Sequence, residues 1–249
     1  VYGLACDRGN MSAIFGIHYF DDHPVSHSAL DQMSAVLAHR GADGSRVWCS
    51  GAVGLGHRML WTTPESLNES LPFEDSSGDL VITADARLDN RGELIGALQT
   101  CGLDLGRKTD SELILAAYRH WGERCAEKLL GDFAFAIWDA RQRILFCARD
   151  HFGVKPFYYY WSPKKTFVFA TEMKGLFACG DVPREVNEVR VADHLAEIFK
   201  DNESTLYRNI LRLPPAHTIT VSGEHARTRC YWALDRAREV RLKSNEEYA

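Results

Sequence analysis

Residues 131–149 carry the pattern that most restricts the fold. Phe133, Phe135 and Ile137 alternate with their neighbours, Ile144, Phe146 and Ala148 do the same, and a turn over residues 139–143 joins the two runs. A period of two places every second side chain on one face, as a strand does and a helix does not. Two such runs around a short turn predict an antiparallel hairpin. The alternation recurs at Leu80, Ile82, Ala84, Ala86 and Leu88, interleaved with Val81, Thr83, Asp85 and Arg87, which reads as a half-buried strand. Residues 157–161 and 167–170 continue the meander, and 47–49 with 53–57 flank a hairpin turn at Ser50-Gly51. Residues 218–221 and 227–232 read as a last hairpin.

Helical spacing appears between these strands. Leu30, Met33 and Leu37 follow a cap candidate at Ser28 and stop at Gly41. Residues 93–101 carry Leu94, Ile95 and Leu98 on one stripe, and 191–200 form a last helix. Thr109-Asp110-Ser111-Glu112 offers a capping box to the helix bearing Leu113, Ile114 and Ala117. The sum is one α+β domain, two antiparallel sheets with helices outside.

A chain of 249 residues, 45% apolar and 25% charged, buries such a core without staples. Its formal charge of -5, with no long basic run, argues against nucleic acid as a partner. No run of about 18 apolar residues occurs, so no membrane-spanning helix is expected. The 7 cysteines are odd in number and include no C-x-x-C pair, which reads as reduced thiols in a cytoplasmic protein. No metal site is expected: His23 and His27 are four apart, but Pro24 breaks the helix that would bring them together. Neither G-x-G-x-x-G nor G-x-x-x-x-G-K-[ST] is present, and the acids are dispersed.

The motifs are more specific than the composition. Met11-Ser12-Ala13-Ile14-Phe15-Gly16 resembles the M-C-x-I-x-G opening of class II glutamine amidotransferases. His39-Arg40-Gly41-Ala42-Asp43-Gly44 is similar to their H-R-G-P-D-G segment, and residues 131–139 to G-x-F-A-F-A-x-x-D. Residues 148–159 resemble A-R-D-x-x-G-x-K-P-L-Y-Y, and 169–174 resemble F-A-S-E-x-K. Leu213-Pro214-Pro215-Ala216-His217, then Tyr231-Trp232, follow the asparagine-synthetase branch. The resemblance runs from Met11 to Trp232 and implies the N-terminal-nucleophile hydrolase fold, a four-layer αββα sandwich.

In that family an N-terminal cysteine attacks the glutamine amide with its own amine as base. Here the resemblance puts Ser12 at the nucleophile. Asp85 stands where an asparagine donates to the oxyanion, Ala86 where a glycine lets backbone approach substrate, and Met59 where an arginine grips the substrate carboxylate. Arg58 is one residue off, on the opposite face of its strand. Asp110 alone keeps the family residue, the partner of the substrate ammonium. Losing one oxyanion donor costs about 10²–10³ in rate, so a glutaminase fold without glutaminase is expected. Arg149, Asp150 and Lys155 read as a structural ion network.

The resemblance also implies a second, ATP-pyrophosphatase domain that adenylates a carboxylate and forms an amide. Its S-G-G-x-D-S loop is absent from this sequence. The expected organisation is an extension or cloning remnant over residues 1–10, the amidotransferase-like domain over 11–235, and the start of a linker over 236–249. The implied partner is a C-terminal synthetase domain of the same polypeptide, with homodimerisation left open. No cofactor is expected for the domain itself; ATP and magnesium belong to the synthetase domain. Ser12 and residues 59–66 resemble the subgroup that uses no glutamine, the β-lactam synthetases and lasso-peptide macrolactam cyclases. Two alternatives stay open: a hydrolase using Ser12 after removal of Met11, and a stand-alone module that holds an amino acid at Asp110.

Overall fold

The computed structural model of the protein describes residues 11–100, 108–198, 201–235 and 237. The expectations for residues 1–10, for Cys101, for Phe199 and Lys200 and for the linker apart from Ala237 fall outside them. In chain order the first half holds β1 (Ala13–Tyr19), α1 (His27–Val36), β2 (Gly44–Ser50), β3 (Val53–Met59), β4 (Phe73–Glu74), β5 (Leu80–Leu88), α2 (Arg91–Gln99) and α3 (Asp110–Trp121). The second half holds β6 (Gly131–Asp139), β7 (Ile144–Arg149), β8 (Tyr158–Ser162), β9 (Thr166–Ala170), α4 (Met173–Ala178), α5 (Glu188–Leu195), β10 (Ile210–Arg212), β11 (His217–Ser222) and β12 (His225–Cys230).

These strands form two six-stranded sheets, ordered β10-β8-β9-β1-β3-β2 and β12-β11-β7-β6-β5-β4. Among the described residues, three apolar clusters lie between four layers. Ala13, Phe15 and Ile17 of β1 pack with Leu30, Met33 and Leu37 from α1 and its end, and with Leu176 of α4. Ile14, Leu55, Val81, Ala134 and Phe169 fill the space between the sheets. Ile82, Ala84, Phe133 and Phe135 pack under Leu94 of α2 and Leu113 and Ile114 of α3. The architecture is the αββα sandwich.

The layering explains one departure from the sequence pattern. β5 is buried on both faces, with Ile82 and Ala84 toward the helices and Val81 between the sheets. Its alternation separates two cores rather than a core from solvent, and Thr83 shows why polar residues fit there: its hydroxyl donates to Gly56 O of β3 at 3.1 Å. Thr83 and Asp85 share a face, so Asp85 looks between the sheets.

Other details differ from the pattern. The cap of α1 is Ser26, whose Oγ accepts from Ala29 N–H at 3.2 Å; Ser28 lies inside the first turn. That helix ends at Val36, short of Gly41. β8 and β9 do not continue the β6–β7 meander but cross to the other sheet, where β9 pairs with β1. Asn187 caps α5 at an earlier start than residue 191. The capping box on α3 forms as expected, Thr109 Oγ1 accepting from Glu112 N–H while Glu112 accepts from Thr109 N–H at 2.9 Å.

The crossing after β7 depends on Arg149 and Asp150, and not through an ion network. Asp150 accepts from the N–H groups of Phe152, Val154 and Lys155 at 3.1, 2.9 and 2.9 Å. Arg149 donates to Lys155 O and Leu213 O at 2.6 and 2.7 Å. Both charges satisfy backbone, and the loop they brace delivers Lys155 to a different carboxylate.

Candidate functional site

Ser12 lies just ahead of β1, and the neighbouring Met11 O accepts from Gly41 N–H at 3.3 Å. Ser12 is buried, and its Oγ accepts from Leu60 N–H at 3.0 Å and donates to Leu60 O at 3.4 Å. A hydroxyl held on backbone in both directions has its proton and a lone pair engaged, and neither partner is a base. Met59 closes β3 and packs into the core beneath α3. Arg58 turns the other way, donating to Gly41 O at 3.2 Å.

Asp85 is buried, and Lys155 Nζ lies 2.8 Å from its Oδ1. Its Oδ2 is buried without a hydrogen-bond partner among the described residues. Burial pushes the Asp85 carboxyl above its ordinary range, and the Lys155 ammonium opposes that rise. Ala86 points to the helix side and packs against the α3 core. Asp110 opens α3, where a negative charge suits the helix dipole. Its Oδ2 accepts from Leu88 N–H at 3.1 Å, and its Oδ1 pairs with the Arg91 guanidinium, which also donates to Lys108 O at 2.6 Å. Glu69 reaches the same helix end from the segment after β3, accepting from Ser111 N–H and Oγ at 2.9 and 2.7 Å. Burial pushes Glu69 upward in pKa, and the nearby Asp85 charge adds to this.

The structure sets Ser12 against Leu60, next to Met59, places Asp85 and Ala86 on opposite faces of β5, and ties Asp110 to Leu88 at the end of that strand. Residues 11–232 match the glutamine amidotransferase domain family. The chain belongs to that family. Among relatives, it is 32% identical over 212 residues to asparagine synthetase [glutamine-hydrolyzing] 3 of Bacillus subtilis strain 168, covering 83% of this chain and 34% of that protein. It is 29% identical over 239 residues to amidase chyE of Penicillium rubens, covering 88% and 34%. Among solved structures, glutamine phosphoribosylpyrophosphate amidotransferase from B. subtilis, complexed with ADP and GMP, superposes at a TM-score of 0.62 with 16% identity, covering 88% of this chain and 49% of that one. That likeness is one of fold. The chain spans about a third of the length of these curated relatives.

In this amidotransferase domain the chain's own groups occupy the carboxylates. The Asp85 carboxylate accepts and cannot donate when ionised, and Lys155 holds one of its oxygens. Arg91 sits on Asp110 as a cation would. Lys155, Arg91 and Glu69 are the residues that sequence reasoning missed in this role. The replacement of asparagine by Asp85 was the available signal for Lys155, since a buried carboxylate requires a cation. Among the described residues, no group of three His, Cys, Asp or Glu is placed to hold a metal ion. No described helix is long and apolar enough to cross a membrane.

Arg40 borders the same region, pairing with Glu172 while its Nη1 is buried without a partner among the described residues. His39 and Lys174 also reach Glu172, at 3.0 and 3.1 Å. Burial alone would raise Glu172, but these groups together hold its carboxyl at about 2, against an ordinary 4.5. A carboxyl more acidic in the folded state stabilises the fold above its unfolded pKa. That contribution is therefore complete above about pH 4.5 and fades as the pH falls toward 2. After discounting for solvent screening it is worth about 1 kcal/mol. Urea unfolding should show a shallower acid loss of stability for Glu172→Gln in that window; identical slopes for variant and parent would remove Glu172 from this role.

Proposed function

We propose that this amidotransferase domain releases no ammonia from glutamine and acts as a structural part of an ATP-dependent amide-forming enzyme related to asparagine synthetases. The observation that carries the reading is the pairing of Asp110 with Arg91 and Leu88 N–H. The one carboxylate suited to the substrate ammonium is already filled by the chain itself. Met59 in place of an arginine, and the Asp85–Lys155 pair in place of an oxyanion donor, support the same conclusion. The serine hydrolase alternative gains nothing from a hydroxyl bonded to the backbone of Leu60, and the amino-acid-binding alternative would have to displace Arg91.

On this reading the domain occupies residues 11–235, and its partner is a synthetase domain of the same polypeptide that uses ATP and magnesium. The greater length of the relatives supports that arrangement. The parent enzyme's own substrate stays open between aspartate, a β-lactam precursor and a lasso peptide. The test is glutamate and ammonia formation from glutamine by the purified protein. No turnover above the buffer rate is expected, with Ser12→Ala indistinguishable from the parent. Turnover that disappears in Ser12→Ala would overturn the proposal.

A further inference from the structure

A cavity of about 310 Å³ opens where α5, the start of α4, β10 and residues 201–206 meet. None of Ser12, Met59, Asp85, Ala86 and Asp110 lines it. Arg190 and Arg212 stand in its wall and hold adjacent carbonyls of one loop. Arg190 Nη2 donates to Asp201 O at 3.2 Å, and Arg212 Nη1 donates to Asn202 O at 3.4 Å. The two charges are matched differently. Arg190 pairs with Asp193 Oδ2 at 3.1 Å and lies 4.0 Å from Asp201 Oδ2. Arg212 pairs with no carboxylate among the described residues; beyond Asn202 O its guanidinium meets the Tyr158 ring, 5.5 Å from the centroid. Its Nε and Nη2 make no hydrogen bond there and, unlike Arg40 Nη1, are not buried, so both donors keep accessible surface.

The other groups of the wall select what can accept from them. Asp201 is the one carboxylate that lines the cavity; Asp193 does not. Ser204 Oγ and the N–H groups of Ser204 and Glu203 donate to Asp201 and hold its carboxyl at about 2, so it is ionised at pH 7. Those bonds commit its oxygens to its own loop. His194 completes the titratable groups of the wall and adds positive charge when protonated. A cation would meet the unmatched Arg212, and a dianion would set its second charge against Asp201. A single carboxylate suits the planar fork of Arg212, with Nε and Nη2 each donating to one oxygen. Met173, Ile198 and Leu206 supply apolar wall, and the last two are 45% and 43% exposed, surface that an occupant would cover. A cavity of about 150 Å³ accepts a benzene ring, so this one has room for a ring and a carboxylate together.

We propose that this cavity binds a small monocarboxylate with an apolar body, its oxygens held by Nε and Nη2 of Arg212 and its body laid on Met173, Ile198 and Leu206. The site shares no residue with the glutamine positions and does not depend on their being inactive. The test titrates sodium benzoate, benzyl alcohol and inorganic phosphate separately into the full chain, followed by calorimetry and by the ¹³C-methyl resonances of methionine. Saturable benzoate binding is expected, about tenfold or more tighter than benzyl alcohol or phosphate. The Met173 methyl should move on saturation while those of Met33 and Met59 stay in place. Arg212→Gln should abolish binding. Leu206→Asp sets a second carboxylate in the half-exposed wall and should weaken binding about tenfold relative to Leu206→Asn; it decides the matter alone if Arg212→Gln does not fold. Absence of saturable binding, equal affinity for benzyl alcohol or phosphate, an unmoved Met173 methyl, or equal affinity in Leu206→Asp and Leu206→Asn would each overturn the proposal. Glutamine turnover is no part of this readout, so either reading can fail without the other.

Discussion

Lys155→Met should destabilise the protein by about 3–5 kcal/mol, since it strands the buried Asp85 carboxylate without its cation. Lys155 Nζ is 2.8 Å from Asp85 Oδ1, and both side chains are largely withdrawn from water. Asp85→Asn should cost less, because the amide oxygen still accepts from the Lys155 ammonium. The double variant Asp85→Asn, Lys155→Met should be more stable than Lys155→Met alone, giving a coupling of about 2 kcal/mol or more in the cycle. The pH dependence has a definite sign. Burial already raises the Asp85 carboxyl, and removing Lys155 raises it further. The folded state then binds a proton that the unfolded state releases, so Lys155→Met should regain stability as the pH falls from about 7 toward about 5. Urea unfolding of the four proteins at both pH values measures all of this. Additive losses, or a deficit in Lys155→Met independent of pH, would show that Lys155 does not neutralise a buried Asp85 carboxylate.

That pair also marks where local pattern stops being informative. Alternation at Phe133, Phe135 and Ile137 foretold β6, because pleat and burial are local properties of a strand. It could not say that residues 157–161 leave for the other sheet, since β8 has the same period in either sheet and only the Arg149–Asp150 loop turns it across. Asp110 was legible from its motif, but its state was not. Arg91 reads as an ordinary first residue of α2, and nothing in its neighbourhood reveals that its guanidinium reaches Asp110. Glu69 reads as one polar residue of an irregular segment, though its carboxylate covers the N-terminal end of α3. His57 belongs to a recognisable strand, yet its contact with Thr83 Oγ1 across the sheets does not show in that pattern. Each omission is a long-range pairing of charge or hydrogen bond, and propensity along the chain carries no record of those.

Glutamine binding and slow hydrolysis should return when the substituted positions are restored together and Asp110 is released. The variant combines Ser12→Cys, Met59→Arg, Asp85→Asn, Ala86→Gly and Arg91→Ala, expressed from Met11 with that methionine removed so that the cysteine is N-terminal. The parts act as a unit, so single changes should give little. A thiolate without an oxyanion donor forgoes about 10²–10³ in rate, and a donor without the arginine fork leaves the substrate carboxylate unheld. Arg91→Ala is the addition that the structure requires, because the four other changes leave a guanidinium on Asp110 Oδ1. The version that retains Arg91 should therefore bind glutamine at least about tenfold more weakly, the loss of one charge-assisted contact. Asp110→Ala in the five-position variant should abolish binding. Calorimetry with glutamine and release of glutamate supply the two readouts. If the folded variant with a free N-terminal cysteine shows neither, then Met59 and Asp85 do not stand at the positions of the arginine and asparagine, and the site lies elsewhere along the sheet ends. If it binds equally well with Arg91 retained, that side chain swings away from Asp110 at little cost, and the closure of this site rests on Met59 and Asp85 instead.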